Sequence, residues 1–255
     1  MLSLTGKNIL ITGVGNSQSI AWGCATQLRE AGANVLLAYQ SPVMAESAHM
    51  LAQGVSAPLS VLLDVEDDVG VAEAFAAITE HSGGRLDGVV HSPTLGLRDD
   101  LSGRVLDLSR ERFTRALDVG CHSFIRMARL AEPLLADGAS LVAISYYGAE
   151  KVIPNYGLMS LCKAALEAAV RYLAAEFGDR DIGVYAVSPG PLRRRAGSGI
   201  AEIDDLMQRA KERAALHRLV TPEEVGALTA FLCSGNAAGL TGSVLHVDAG
   251  YRAAA

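Results

Sequence analysis

Short runs that are apolar almost throughout alternate along this chain with longer stretches whose apolar residues return every three to four positions. The short runs fall at 8–12, 34–39, 59–63, 86–91, 140–145, 182–188 and 243–247. Several lack the two-residue alternation of a strand with one wet face. A strand covered on both faces reads this way, which predicts a parallel sheet. Helical periodicity predicts helices at about 19–31, 43–53, 67–81, 109–135, 156–178 and 221–234, with a further helical segment at about 201–215. Strand and helix repeated in this order predict an α/β fold, a doubly wound parallel sheet of about seven strands with helices on both faces.

No Pro/Gly/Ser-rich linker, internal repeat or low-complexity tract divides the sequence, so one domain over 1–255 is expected. The least regular stretch, 189–199 (PGPLRRRAGSG), follows a predicted strand at the end where such sheets bind ligands. With the helical segment behind it, this forms a possible lid at about 191–215.

Composition narrows the function classes. The chain has 255 residues, 50% hydrophobic and 20% charged, which excludes a disordered protein. A net charge of -6 argues against nucleic acid as a partner, because phosphate binding needs a basic face. Cys24, Cys121, Cys162 and Cys233 have neither metal-ligand spacing nor the density of a disulfide scaffold, which fits a reducing compartment. The start, MLSLTGKNILITG, lacks the charge and long apolar core of a signal peptide, and no apolar run approaches the ~20 residues of a membrane span. A cytoplasmic protein without membrane contact is expected. His49, His81 and His217 read as solvated, and His91, His122 and His246 as packed. None has ligand spacing, so no metal is expected.

Two regions carry candidate chemistry. After the first strand comes TGVGNSQSIAWG. Gly13 and Gly15 there permit a tight turn, and let backbone N–H groups approach a phosphate at the positive end of a helix starting near Ser19. Gly23 is expected to let that helix lie close on the sheet. Position 18 is Gln, so G-x-G-x-x-G is absent, and a plain structural turn is the competing reading. The second strand ends at Tyr39-Gln40. Gln40 can hydrogen-bond a ribose, and the following SPVMAES holds no Arg or Lys to neutralise a 2′-phosphate, which favours NADH. Asp64 at the end of the third strand is a candidate acceptor for the adenine amino group, with Val65 as an apolar wall. A helix N-cap is the equal alternative for Asp64.

The second region is SYYGAEKVIPNYGLMSLCK, after the fifth strand. Tyr156 and Lys163 are seven residues apart, which on a helix puts them within about 20° of one face. An ammonium beside a phenol favours the phenolate and can hold a ribose hydroxyl. An ordinary amphipathic surface is the competing reading. Tyr146 and Tyr147 are further candidates to reach the same pocket, or else pack.

These residues resemble the short-chain dehydrogenase/reductase superfamily, whose fold is Rossmann-like, and within it the enoyl-acyl-carrier-protein reductases. Ordinary members pair tyrosine and lysine as Tyr-x-x-x-Lys, but Met159 stands four residues before Lys163. The enoyl reductases use Tyr-x6-Lys, here Tyr156 and Lys163. Further matches are Ser19-Ile20-Ala21, Tyr39-Gln40, Asp64-Val65, His91-Ser92, Ser145-Tyr146, Gly148-Ala149-Glu150, Ile153-Pro154-Asn155-Tyr156, Gly190-Pro191, Ser198-Gly199-Ile200 and HVDAGY at 246–251. The similarity covers nearly the whole chain.

The resemblance implies hydride transfer from NADH to the β-carbon of an α,β-unsaturated acyl thioester. Tyr156 and the cofactor ribose would stabilise the enolate oxygen, Lys163 would hold the ribose, and Tyr146 would line the acyl site and assist. It further assigns Gly13, Ser19, Ile20, Gln40, Asp64, Val65, Ser92, Pro93, Lys163, Leu192 and Arg194 to the cofactor, and Gly96, Tyr146 and Tyr156 to the substrate. It implies a homotetramer joined through the long helices at 109–135 and 156–178.

Three departures qualify the match. Pro93-Thr94 stand where the family has a small apolar residue and glycine. Leu192-Arg193-Arg194-Arg195 replaces an apolar-Arg-Thr sequence, so Arg194 supplies a charged contact in place of a hydroxyl, or the three arginines meet an anionic substrate, or they belong to a solvated loop. Glu202-Ile203-Asp204-Asp205 replaces basic residues that face an acidic carrier protein. Like charges disfavour that encounter, which points to a different carrier or a small free thioester. A carbonyl-reducing dehydrogenase and a catalytically inactive nucleotide sensor are the competing functions.

Overall fold

The computed structural model describes residues 2–93, 104–192 and 201–254, and the side chains of all of these but 201–206. Seven parallel strands form one sheet in the order β3-β2-β1-β4-β5-β6-β7. They are β1 (Asn8–Thr12), β2 (Asn34–Tyr39), β3 (Ser60–Leu62), β4 (Leu86–His91), β5 (Leu135–Ile144), β6 (Gly183–Pro189) and β7 (Val244–Val247). The chain winds outward from β1 through β2 to β3, then returns to add β4 on the other side. The order therefore reverses between β1 and β4, and a crevice opens there at the carboxyl ends of the strands.

The strands read as continuous apolar runs because both faces are covered. In β1, Leu10 joins one hydrophobic core while Ile9 and Ile11 join the other. Leu141 and Ala143 of β5 oppose Val142 and Ile144 in the same way. The first core lies under α3 (Asp68–His81), α5 (Ser123–Ala131) and α6 (Gly157–Glu176). The second lies under α1 (Ile20–Glu30), α2 (Ala45–Gly54) and α8 (Pro222–Leu232). Two more helices, α4 (Arg110–Leu117) and α7 (Ala201–Arg213), complete the α-helices of the described residues.

The long helix expected at 109–135 is not continuous. A π-helical turn, Asp118–His122, separates α4 from α5. Pro133, which has no N–H to donate, follows α5, and β5 begins at Leu135, five residues before the strand expected at 140. His122 lies on the π turn and is exposed, with Nδ1 2.8 Å from Asp118 Oδ1, rather than packed.

Gly23 serves a different contact from the one expected. A Cβ there would lie 2.3 Å from the Pro222 backbone, and one on Gly226 would lie 2.2 Å from Gly23 O. The two glycines let α1 and α8 cross backbone to backbone, so Gly23 brings helix to helix and not helix to sheet. Among the described residues, no helix is long and apolar enough to cross a membrane.

Candidate active site

The carboxyl end of β1 runs into the crevice at Gly13. Its φ is +81°, and a Cβ at this position would sit 1.9 Å from Ser92 O. Only glycine lets the turn after β1 lie this close to the turn after β4. Ser92 N–H donates to Thr12 Oγ1 at 3.2 Å, tying the two strand ends together. Ser19 is the N-cap of α1, accepting from Trp22 N–H at 3.1 Å, and Ile20 opens the helix. The positive end of α1 therefore starts beside the crevice.

Gln40 stands half-buried just past β2. Asp64 Oδ1 accepts from Glu66 N–H at 3.0 Å, while the N-cap of α3 is Asp67, so the capping role weighed for Asp64 belongs to its neighbour three residues on. Val65 is 5% exposed and packs in the first core. Pro93 and Leu192 are half-buried at the ends of the described segments. Thr94, Gly96 and Arg194 lie outside the described residues.

The carboxyl end of β5 meets α6. Lys163 Nζ donates to Ile144 O at 2.7 Å from a side chain that is 8% exposed. Burial pulls this ammonium down to a pKa of about 8, opposed by Cys162, Glu167 and Cys121. Tyr156 is the residue before α6, with φ −122° and ψ 13°, so the helical step does not set its direction as the spacing argument assumed. Its ring packs edge-on against Tyr146, with centroids 4.7 Å apart. Burial, with Tyr251 nearby, pushes the Tyr146 phenol up to about 12, which keeps it a neutral donor at pH 7. The structure thus pairs Tyr146 with Tyr156 and holds Lys163 on the carbonyl of Ile144, two residues before Tyr146.

Beside them lies a cavity of about 370 Å³. Tyr146, Tyr147, Ile153, Pro154 and Tyr251 supply aromatic and apolar wall, and Lys151, Arg209 and Arg213 supply three cations. Arg209 and Arg213 are on α7, so this helix covers one side of the cavity. Tyr156 does not line it. Tyr251 and the three cations went unread in the sequence. The only linear signal for Tyr251 was its place in HVDAGY, and the basic second half of α7 was overshadowed by its acidic start.

Three donors sit on the Lys163 ammonium, and Ile144 O takes one among the described residues. Two are left to hold paired hydroxyls, a requirement that a nucleotide ribose meets. The Gly13 turn, the start of α1 and this ammonium together fit a dinucleotide laid across the switch point.

Fold and crevice thus define a dinucleotide-binding α/β class, with Lys163 anchored at the end of the fifth strand. The family described as enoyl-(acyl carrier protein) reductase matches residues 13–252, and the chain belongs to it. It is 42% identical over 248 residues to "Enoyl-[acyl-carrier-protein] reductase [NADH] 1" of Rhizobium meliloti (strain 1021), covering 97% of this chain and 91% of that one. Among solved structures, the Anaplasma phagocytophilum reductase in complex with NAD superposes with a TM-score of 0.91 at 38% identity, covering 99% of this chain and 94% of that one. The Bacillus cereus reductase, bound to NADP+ and an indole naphthyridinone, superposes with a TM-score of 0.93 at 36% identity, covering 99% of both.

Proposed function

We infer that this chain transfers hydride from NADH to the C=C bond of an α,β-unsaturated acyl thioester. The observation that carries the reading is the buried Lys163 ammonium, held on Ile144 O at the end of β5, two residues before the Tyr146 ring that packs on Tyr156. When bound, the cofactor supplies the hydride. Gly13, Ser19, Ile20, Gln40, Asp64, Val65, Ser92, Pro93, Leu192 and Arg194 are the residues we assign to holding it. Gln40 and the SPVMAES that follows, which holds no Arg or Lys, favour NADH over NADPH.

The protein's part is orientation and field. Lys163 orients the ribose with its remaining donors. The Tyr156 hydroxyl donates to the thioester oxygen as negative charge develops there, and Tyr146 stays protonated as a second donor and acyl-site wall. One preplaced oxyanion donor contributes roughly 3 kcal/mol, or about a hundredfold in rate. The apolar cavity wall suits an acyl chain, and the sequence motif assigns Gly96 to the substrate.

The three cations at the cavity suit an anionic arm on the substrate. The acidic first half of α7 disfavours an acidic carrier, so we propose a different carrier or a small thioester as the donor of that arm. We further propose one reductase unit over 1–255 with 191–215 as its cover. Half-exposed Ile125 on α5 and Leu161 on α6, with Tyr172 on α6 still more open, are the surface for assembly into a tetramer, which light scattering would measure.

Replacing Tyr156 by Phe tests the assignment. With NADH and a crotonyl thioester, kcat is expected to fall about a hundredfold while the Kd for NADH stays within about threefold. An unchanged kcat means another group stabilises the oxyanion. Faster turnover of an acetoacetyl than of a crotonyl thioester by the unmodified enzyme would mean a carbonyl reductase.

A further inference from the structure

The end of β5 is tied to α6 twice. Ile144 O accepts from Lys163 Nζ at 2.7 Å, and the next residue, Ser145, donates its hydroxyl to Glu167 Oε1 at 2.5 Å. Lys163 and Glu167 are one helical turn apart, on the same face of α6. Ser145 is 2% exposed and Glu167 8%. Tyr146 follows Ser145 directly and is the ring that packs on Tyr156.

Nothing in the hydride step uses Glu167, yet burying a carboxylate is costly unless it is partnered. Arg171 lies one turn further along, but its guanidinium donates to the Glu167 backbone carbonyl at 3.0 Å. The carboxyl accepts from the Ser145 hydroxyl and feels the charges of Glu150, Arg171 and Lys163.

We propose that Glu167 is a positioning residue for the reduction: its negative charge keeps Lys163 in the ammonium form, and its bond to Ser145 fixes Tyr146 against Tyr156. This rests on the roles inferred above for Tyr156 and Lys163.

The surroundings favour this assignment. Facing Lys163 are Cys162 and Glu167 of α6, Cys121 of the π turn and His91 of β4. Burial holds His91 neutral and raises the Cys121 thiol, so neither carries charge at pH 7. Cys162, Glu167 and Cys121 all favour the ammonium, and Glu167 is the carboxylate among them. Around Glu167 stand Ser145, Glu150, Arg171 and Lys163, and burial and Glu150 raise its own pKa while the other three lower it.

Two variants separate the charge from the grip. Glu167→Gln keeps an acceptor for Ser145 and loses the charge. Ser145→Ala keeps the charge and loses the grip. Turnover of a crotonyl thioester at saturating NADH is measured from pH 6 to 9.5. Glu167→Gln is expected to move the alkaline limb down by about one pH unit, with kcat at pH 6 within about twofold of the unmodified enzyme. Ser145→Ala is expected to lower kcat at every pH without moving the limb. A Glu167→Gln profile that superimposes on the original, or is lowered equally throughout, overturns the proposal.

A carbon NMR titration of Glu167 Cδ in the unmodified protein gives a readout that needs no variant to fold. An ionised carboxylate from pH 6 to 8 is expected, and a protonated one overturns the proposal. Absence of enoyl reduction by the unmodified enzyme would instead defeat the functional reading, and the titration would still report on Glu167.

Discussion

His91 shows how much one buried side chain can be made to say. Ser123 Oγ donates its proton to Val119 O at 2.6 Å, so at the 2.8 Å contact between His91 Nε2 and Ser123 Oγ the imidazole must be the donor. The ring proton is therefore on Nε2, and Nδ1 is a buried acceptor with no partner among the described residues. A second proton has nowhere to go. Burial, and then the charge of Lys163, bring the pKa from 6.5 to about 3. The sign of the pH effect follows. Below 6.5 the unfolded chain binds a proton that the folded chain refuses, so this stability is complete above pH 6.5 and is lost as pH falls toward 3. By pH 4 the loss amounts to about 3 kcal/mol. The melting temperature is expected to fall between pH 6.5 and 4, and His91→Gln to make that fall shallower whatever its effect at pH 7. Equal slopes would mean that His91 is not the titrating group. Along the chain, His91 was legible as packed from the apolar run that contains it. His122 looked alike and is exposed, because a π turn rotates it outward.

Helices α1 and α8 meet through the absence of side chains. Gly23 and Gly226 each occupy the place where the other helix needs backbone room. Gly226→Ala would drive a methyl to 2.2 Å from Gly23 O, and the helices must separate to admit it. Overpacking of this kind costs roughly 1–3 kcal/mol, so the urea midpoint is expected to drop by about 1 M with an unchanged m-value. A midpoint within error of the original would show that the crossing is slack. The same scale explains which helix boundaries were readable. Thr221, Pro222 and Glu224 form a capping box with proline at the first turn, and α8 starts at Pro222, one residue from the start that periodicity predicts. The region 109–135 has helical periodicity across the π turn because widening a single turn leaves the apolar stripe nearly continuous. Periodicity alone therefore could not divide it.

Across the whole molecule, charge is sorted by position. The net charge is -6, yet Lys151 after β5 and Arg209 and Arg213 on α7 converge on one cavity. Their nearness depends on α7 folding back over the carboxyl ends of β5 and β6, and they stand up to 62 positions apart in the sequence (213 less 151). Reversing Arg209 and Arg213 together to Glu is expected to raise KM for a thioester on a phosphate-bearing arm about tenfold. The KM for a short uncharged thioester should be nearly unchanged, and the difference should shrink in 0.5 M salt. Equal effects on both substrates would remove the cations from substrate recognition.

The linear sequence was enough to establish the seven strands and their parallel direction. Those features are local: a strand buried on both faces must be apolar throughout, and a β–α repeat has few ways to wind. What only tertiary structure decided are meetings between distant segments. The Gly13 turn abuts Ser92, Tyr146 packs on Tyr156 at the mouth of α6, Glu167 grips Ser145, and Gly23 admits Pro222 rather than the sheet. Such contacts are selected by backbone distance and burial after the sheet has closed, and no periodicity in the chain records them.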